Sequence, residues 1–293
     1  MKRIFKDVFC VVLLGLFIIL SGCSGNLKKV TLTGEVEEKE YSDLDGSSIV
    51  IKNIRIADGA SIKPVTVKFE QGNEKRIVVK AQKSFFDKLS IRSIRDKITI
   101  EGGVLEKYET ESIEIEIYGY KFNNVELAEV NATINQDSLE NDIILDISGA
   151  SNLTVDYVNI TRVEAIVSGA SHMQFNELTS DILRAEVSGA SKLVTLKTEV
   201  GTADSYISGA SSVLYDGQCG SATAKVSGAS TYEATGFRTD NVKINLSGSS
   251  TGRVYAEKKL DYNMSGSSTL RYKGDATINE IERSGACSVS KID

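Results

Sequence analysis

A four-residue motif, Ser-Gly-Ala-Ser, returns along the second half of the sequence at nearly constant intervals. Successive copies start 20, 20, 20, 19, 20, 18 and 19 residues apart. A period near twenty is typical of chains that stack one short structural unit on the next. Two copies read Ser-Gly-Ser-Ser and the last ends in Cys, and the eight copies begin at Ser148, Ser168, Ser188, Ser208, Ser227, Ser247, Ser265 and Ser284.

The residues that flank each motif alternate between apolar and polar, which indicates β-strands with one buried face. The positions one, three and five residues before the first Ser are mostly apolar, as in Ile147, Leu145 and Ile143. The positions five and seven residues after it are mostly apolar too, as in Leu153 and Val155. No apolar stripe follows the helical period. A strand, a corner and a second strand therefore form one coil of a β-solenoid.

The motif itself predicts the corner between two strands. Its glycine, for example Gly149, allows backbone angles that other residues avoid, so the chain can bend sharply there. The alanine that follows is expected to point inward because it is small. The eight first serines are expected to form a structural ladder, since their hydroxyls can bond to the backbone or to the next coil about 4.8 Å away. We interpret them as structural groups and not as nucleophiles.

The N-terminus has the features of a bacterial lipoprotein signal. Lys2, Arg3 and Lys6 precede an apolar run over residues 8–20, which is shorter than a typical membrane-spanning helix. The run ends in Leu-Ser-Gly-Cys at residues 20–23, which resembles the lipoprotein signal box. The sequence predicts a signal peptide over residues 1–22 and lipidation of Cys23, so that the membrane is a partner through a lipid anchor. The alternative is an ordinary signal peptide with an incidental cysteine.

Charge and cysteine content exclude some classes of function. The formal net charge is −6, and removal of the basic signal peptide makes the chain more acidic. Because no basic patch with interleaved aromatic residues occurs, nucleic acid is not an expected partner. Loss of Cys10 with the signal and lipidation of Cys23 leave Cys219 and Cys287. These lie three to four coils apart, about 14–19 Å, and are expected to be free thiols.

Three regions follow the signal peptide. Residues 23–46 are polar, and we expect them to form the lipidated cysteine and a tether, although Val30 and Leu32 could begin a strand. Residues 47–140 alternate without the motif and predict irregular N-terminal β coils that cap the stack. Residues 141–293 form the Ser-Gly-Ala-Ser repeat β-helix.

Both ends of the stack deviate from the repeat. Residues 83–88 predict a single helical turn in the N-terminal coils. In the last coil, Arg283 and Asn279 stand one and five residues before the motif, where other coils are apolar. Terminal repeats must face water or another chain, so these polar residues predict a C-terminal cap.

No catalytic, cofactor-binding or metal-binding residue is expected. The only histidine, His172, falls in a variable polar row and is interpreted as a surface residue. No zinc-ligand cluster, calcium repeat or phosphate-binding glycine loop occurs. Glu164, Arg184 and Asp204 occupy one outward row with alternating sign, which favours ion pairing between coils over a concentrated acidic site.

Aromatic platforms for sugars are scarce as well. Tryptophan is absent and most tyrosines of the repeats fall at inward positions. Tyr157 and Tyr206 are the expected outward exceptions.

Residues 48–293 resemble the bacterial family described as "putative auto-transporter adhesin, head GIN domain". The resemblance rests on the repeated Ser-Gly-Ala-Ser motif, on Tyr-Lys-Gly-Asp at residues 272–275 and on the closing Ser-Gly-Ala. It implies a right-handed, single-stranded parallel β-helix with about 18–20 residues per coil, often found in lipoproteins of Bacteroides-like bacteria. Right-handedness agrees with the general rule for parallel crossovers. The resemblance supplies no catalytic residues.

Three hypotheses for function remain at this point. The leading one is a non-enzymatic, lipid-anchored protein of the cell envelope, at the outer membrane, that presents a β-helical face to a surface glycan or protein. The second is a β-helical carbohydrate-active enzyme, a lyase or hydrolase. The third is a structural spacer or a homo-oligomerisation module. Binding of ordered water or ice by the hydroxyl rows ranks last, because ice-binding faces favour threonine.

Overall fold

The computed structural model describes residues 27–59, 61–110 and 112–293. The signal peptide predicted over residues 1–22 and the lipidation site Cys23 lie outside the described residues. Within these ranges the regular structure is almost entirely β, with two short 3₁₀ turns at Lys83–Phe85 and Gln136–Ser138. No α-helix occurs in the described part of the chain.

The N-terminal half contains short strands that pair in both directions. They are β1 (Lys28–Thr31), β2 (Val36–Tyr41), β3 (Ser48–Lys52), β4 (Arg55–Asp58), β5 (Ser61–Glu70), β6 (Arg76–Gln82), β7 (Ser90–Ile94), β8 (Lys97–Glu101), β9 (Glu106–Glu109), β10 (Glu114–Tyr118), β11 (Phe122–Ala128) and β12 (Val130–Ile134).

The repeat region contains strands that pair only in parallel and are mostly longer, up to 16 residues. They are β13 (Leu139–Ser148), β14 (Asn152–Val167), β15 (His172–Val187), β16 (Lys192–Ile207), β17 (Ser212–Val226), β18 (Thr231–Leu246), β19 (Thr251–Met264), β20 (Thr269–Lys273), β21 (Thr277–Arg283) and β22 (Ser288–Lys291).

Each coil lies directly above the one before it. Val163 of β14 pairs with Leu183 of β15, which pairs with Ala203 of β16. The corners are in register too, because Ala170 N donates to Gly149 O at 2.8 Å and Ala190 N donates to Gly169 O at 2.8 Å. The predicted right-handed parallel β-helix is confirmed.

Burial shows that each coil has three short faces. Along β14 the buried side chains alternate, but the alternation is interrupted at residues 156–157 and 161–162, where two adjacent side chains are both exposed. Such an interruption marks a turn of the chain, and the Ser-Gly-Ala-Ser motif supplies the third corner. The interior is therefore a narrow triangular column, filled by the positions that the alternation predicts, such as Ile143, Leu145 and Ile147.

The motif's glycine and its fourth residue determine the corner. Gly189 has φ +77°, and a Cβ there would lie 2.5 Å from the carbonyl oxygen of Gly169, so glycine is required. The expectation that the alanine points inward is wrong, because Ala170 and Ala190 are exposed. Because the glycine has a positive φ, the third residue of the motif lies on the outside of the corner. The side chain of the fourth residue then points into the column. Ser171 and Ser191 are accordingly 2% exposed.

The N-terminal end closes by changing strand direction. β6 pairs antiparallel with β2, β8 with β7, and β5 with β4. β1 and β2 lie within residues 23–46, the range expected to be a tether, and β1 pairs with β9, so a strand does include Val30. The predicted helical turn is the 3₁₀ turn Lys83–Phe85, and its Phe85 is fully buried against Tyr108 at the end of the core.

The C-terminal end closes with a shift of register. β21 pairs with β19, but the register shifts between Tyr262 and Asn263. Asn279 therefore does not follow an inward row, as the sequence suggested. It lies over Asp261, to whose Oδ1 it donates at 3.1 Å. Glu280 follows Tyr262 instead and accepts its hydroxyl at 2.5 Å. All residues of β21 are exposed, as expected for a terminal layer.

Candidate functional site

A groove runs along the stack where one face of each coil meets the Ser-Gly-Ala-Ser corner. It extends over seven coils, about 29 Å at the usual strand spacing, and its volume is about 540 Å³. One wall carries first serines of the motifs, from Ser168 to Ser265. The other wall carries the side chains that stand two residues before the first serine of a motif, which are Asp146, Ile166, Glu186, Tyr206, Lys225, Asn245 and Asn263. We call this feature the serine groove.

Tyr206 lies at the middle of the serine groove with its side chain 40% exposed. Cations from both neighbouring coils flank its ring. The Lys225 ammonium is 5.0 Å from the ring centroid and the Arg184 guanidinium is 5.7 Å from it. Arg184 also donates to Glu186 at 2.6 Å. The partly exposed ring thus lies between two cations, one from each neighbouring coil.

Asp146 lies at the N-terminal end of the serine groove. It pairs across the sheet with Glu126 of β11. Burial, and then the charge of Glu126, raise the pKa of Asp146 to about 6. Glu126 itself accepts from Lys97 Nζ at 3.0 Å. This end of the groove therefore carries a carboxyl group that gains or loses its proton near neutral pH.

The structure separates the two serines of each motif. The first serines are half-buried or exposed, and those from Ser168 to Ser265 line the groove. Among them, Ser227 Oγ donates to Ile207 O at 3.4 Å. The fourth serines form a row inside the column. There Ser191 Oγ accepts from the backbone N–H of Ser171 at 3.3 Å, and Ser191 N donates to Ser211 Oγ at 3.4 Å. A regular hydrogen-bonded row thus runs through the fourth positions, while the first positions face the groove.

Other residues singled out in the sequence do not join the groove. His172 stacks between Asn152 and Lys192 in its predicted row, but it is half-buried. Burial, and then the charge of Lys192, lower its pKa, which favours the neutral ring. In the outward row four residues before the motif, Arg184 Nε lies 3.7 Å from Glu164. This contact is the kind of pairing between coils that alternating charge predicts.

The remaining reactive groups are dispersed. Cys219 and Cys287 are free thiols, and burial raises the pKa of Cys219 to about 11. Over the residues described, no three His, Cys, Asp or Glu side chains gather in a way that could hold a metal ion. In the same residues there is no helix with the length and apolar character needed to traverse a bilayer.

The chemistry of the serine groove suits recognition of a polar, extended ligand. A partly exposed aromatic ring, hydroxyls, the amides of Asn245 and Asn263, and charged groups line one continuous channel. The sequence predicted that Tyr206 faces outward, which is confirmed. It did not identify Glu186, Lys225 or the asparagines as its neighbours. Their shared position two residues before the motif is the signal that could have found them.

The fold has clear structural relatives. The chain is similar to a putative adhesin from Parabacteroides merdae, with 14% identity over 90% of this chain and 99% of that one, at a TM-score of 0.66. A putative adhesin from Parabacteroides distasonis shows 18% identity over 90% and 100% of the two chains, with a TM-score of 0.63. A putative lipid binding protein from the same species shows 17% identity over 91% and 100%, also at 0.63. These identities support the shared fold alone.

A search among functionally curated proteins finds no match. Residues 60–276, however, match the family described as "Putative auto-transporter adhesin, head GIN domain". The match covers most of the chain and agrees with the β-helix and its glycine corners. The chain therefore belongs to this family of adhesin-like proteins.

Proposed function

We propose that this protein is a non-enzymatic binding protein of the cell envelope, held to the membrane by lipid on Cys23, whose serine groove binds a glycan. The observation that carries the proposal is Tyr206, which lies 40% exposed in the centre of a channel of hydroxyls and amides. The flat face of a sugar ring packs on aromatic rings, and its hydroxyls pair with hydroxyl, amide and carboxylate groups. The adhesin-like family supports an envelope location and a surface ligand.

A repeated groove favours a repeated ligand. Successive coils present one serine and one variable side chain about every 4.8 Å along the groove. A chain of sugars can therefore contact several coils at once, and the variable row, from Asp146 to Asn263, would select among glycans. A folded protein ligand would require a broader complementary surface than this narrow channel offers.

An enzymatic reading fits the serine groove less well. Asp146 and Glu186 are the acidic residues that line it, and they are two coils apart, about 10 Å. Hydrolysis of glycosides needs two carboxyl groups about 5–9.5 Å apart with free access to one bond. Here Ile166 lies between them and Glu186 is paired with Arg184. The arrangement supports binding more than cleavage.

The test is a glycan array followed by calorimetry on the lipid-free chain, with Tyr206→Ala and Tyr157→Ala as a matched pair. The two tyrosines are 40% and 42% exposed, but Tyr157 is not among the groove residues. Loss of an aromatic contact at the centre of a site costs at least about tenfold in affinity. We expect that loss for Tyr206→Ala and an unchanged affinity for Tyr157→Ala.

Three outcomes would contradict the proposal. Equal loss in both variants would show that the serine groove is not the site. Release of shortened glycan chains would favour the carbohydrate-active enzyme. Absence of glycan binding, together with a stable trimer in light scattering, would favour the oligomerisation module or spacer.

A further inference from the structure

The most exposed large apolar side chains of the described residues lie at the N-terminal end of the β-helix. Leu105 is 69% exposed, Val104 66%, Val36 61% and Ile94 59%. Val36 begins β2, Ile94 ends β7, and Val104 and Leu105 form the turn between β8 and β9. Adjacent exposed apolar side chains such as Val104 and Leu105 indicate a surface that is covered by something in use.

Val36 and Ile94 lie on the last layer of the stack, and Val104 and Leu105 lie in the turn of the coil next to it. β2 pairs on one side with β6, β7 with β8, and β1 with β9, so that each of these three strands is an edge strand. The end of a solenoid can pack against another surface without disturbing its coils.

The chain leaves the fold beside the same residues. Lys28, the first residue of β1, donates its backbone N–H to Leu105 O at 2.8 Å. Only five residue steps separate Lys28 from Cys23, and an extended chain of that length spans at most about 18 Å. An acyl anchor on Cys23 would therefore hold Leu105 close to the bilayer. This step rests on the lipid anchor that forms part of the proposed function.

The exposed turn is fixed in place. Val104 O accepts from Arg55 Nη1 at 2.9 Å, and Gly103 N donates to the Tyr108 hydroxyl at 2.6 Å. Glu106 N closes the turn on Gly103 O at 3.1 Å. Two apolar side chains on a rigid turn can enter the boundary between headgroups and acyl chains without an ordering cost.

We propose that the N-terminal end of the β-helix rests on a phospholipid surface, with Val104 and Leu105 inserted at the interface and Val36 and Ile94 at the same end of the stack. The anchor then acts together with a second, non-covalent contact, which strengthens membrane binding beyond what acyl chains give alone. This contact would orient the stack, so that the serine groove extends away from the bilayer.

Fluorescence quenching tests this contact directly, because the sequence contains no tryptophan. Leu105→Trp places one reporter at the turn. Ile281→Trp is the matched control, since Ile281 is 53% exposed and lies in β21 at the opposite end. The full-length acylated variants are reconstituted in phosphatidylcholine vesicles with or without brominated acyl chains. We expect bromine to reduce emission at least about twofold for Leu105→Trp, because interfacial side chains reach the acyl boundary, and to leave Ile281→Trp unchanged.

Two further measurements separate the contact from the anchor. If wild-type protein fails to float with vesicles, the lipid anchor of the proposed function is refuted. The contact is then measured on variants whose residues 1–23 are replaced by a hexahistidine tag bound to nickel-chelating lipid. Quenching at residue 105 and not at residue 281 supports the contact whatever the anchor. Vesicle-bound protein without quenching at residue 105 overturns it, as does a dimer in solution that Leu105→Asp dissociates.

Discussion

The fourth serine of each motif is a buried polar residue in an otherwise apolar column. Ser191 Oγ accepts a hydrogen bond from the backbone N–H of Ser171, which has no backbone acceptor on a neighbouring strand at this corner. Ser191→Ala should lower the free energy of unfolding by about 1–2 kcal/mol, because it leaves that buried amide without an acceptor. Urea denaturation followed by circular dichroism measures the change.

Ser188→Ala is the matched control within the same motif. Ser188 is half-buried and lines the serine groove. Its loss should cost less than about 0.5 kcal/mol, as is usual for surface positions. Equal effects of the two substitutions would contradict the distinct roles of the first and fourth serines.

Asp146 makes stability depend on pH. Its pKa is raised to about 6 in the folded chain, mainly by burial, whereas an unfolded aspartate has a pKa near 3.9. Between these values the folded state binds more protons than the unfolded state, so stability falls as pH rises through this window. Asp146→Asn should therefore stabilise the protein by about 1–2 kcal/mol at pH 7.5, after allowance for partial exposure, and have little effect below pH 4.

Thermal unfolding of wild type and Asp146→Asn across pH 4–8 measures this difference. Asp204→Asn serves as the control, because Asp204 is an exposed acidic residue three coils further along the repeat. A gain from Asp146→Asn that is the same at pH 4 and pH 7.5 would show that its charge is not the cause.

The 3₁₀ turn at Lys83–Phe85 closes the N-terminal end of the core. Phe85 is fully buried, with its ring 5.1 Å from that of Tyr108. Phe85→Ala should cost about 3–5 kcal/mol, as for other large-to-small changes in cores. Because each coil contacts only its neighbours, the loss should appear first as faster hydrogen exchange in the N-terminal strands and only later in β17–β19.

The adjacent Phe86 provides the comparison. It is half-buried and packs beneath the ammonium of Lys39 at 4.2 Å from its ring centroid. Phe86→Ala should cost clearly less than Phe85→Ala and leave exchange in the N-terminal strands slow. A uniform increase of exchange along the whole stack in either variant would argue against a local cap.

The elements themselves were predictable where the sequence repeats. Alternation placed Ile143, Leu145 and Ile147 inside, and that is where they lie. The cap strands were less predictable, since β1 and β2 have mostly polar side chains and pair with distant strands β9 and β6. The local pattern of apolar and polar residues cannot indicate a strand whose stability comes from a partner tens of residues away.

At the scale of the whole molecule the coil is an exchangeable unit. Deletion of residues 168–187 removes one complete coil. Val167 then precedes Ser188, at the position that Val187 occupies in the full chain. Because stability is nearly a sum over coils and their contacts, the shortened chain should fold, with a lower stability and an unchanged β spectrum. Circular dichroism and size-exclusion chromatography measure both properties.

Deletion of only residues 168–177 is the control. It removes one glycine corner and leaves the next corner out of register with its neighbours, so ladder hydrogen bonds at the junction cannot form. This chain should aggregate or unfold. If both deletions fail alike, the coils are not interchangeable.

The sequence by itself determined the coil. Its period, its alternating faces and its glycine corner are local properties, and every copy of the repeat indicates the same structure. Only the tertiary structure decided which serine lies inside, because that depends on the positive φ of the glycine. It also decided that Glu186, Tyr206 and Lys225 become neighbours, and that Asn279 faces Asp261 across a shifted register. Stacking brings residues about twenty positions apart to within one strand spacing, and small changes of backbone angle or register determine which side chains then meet.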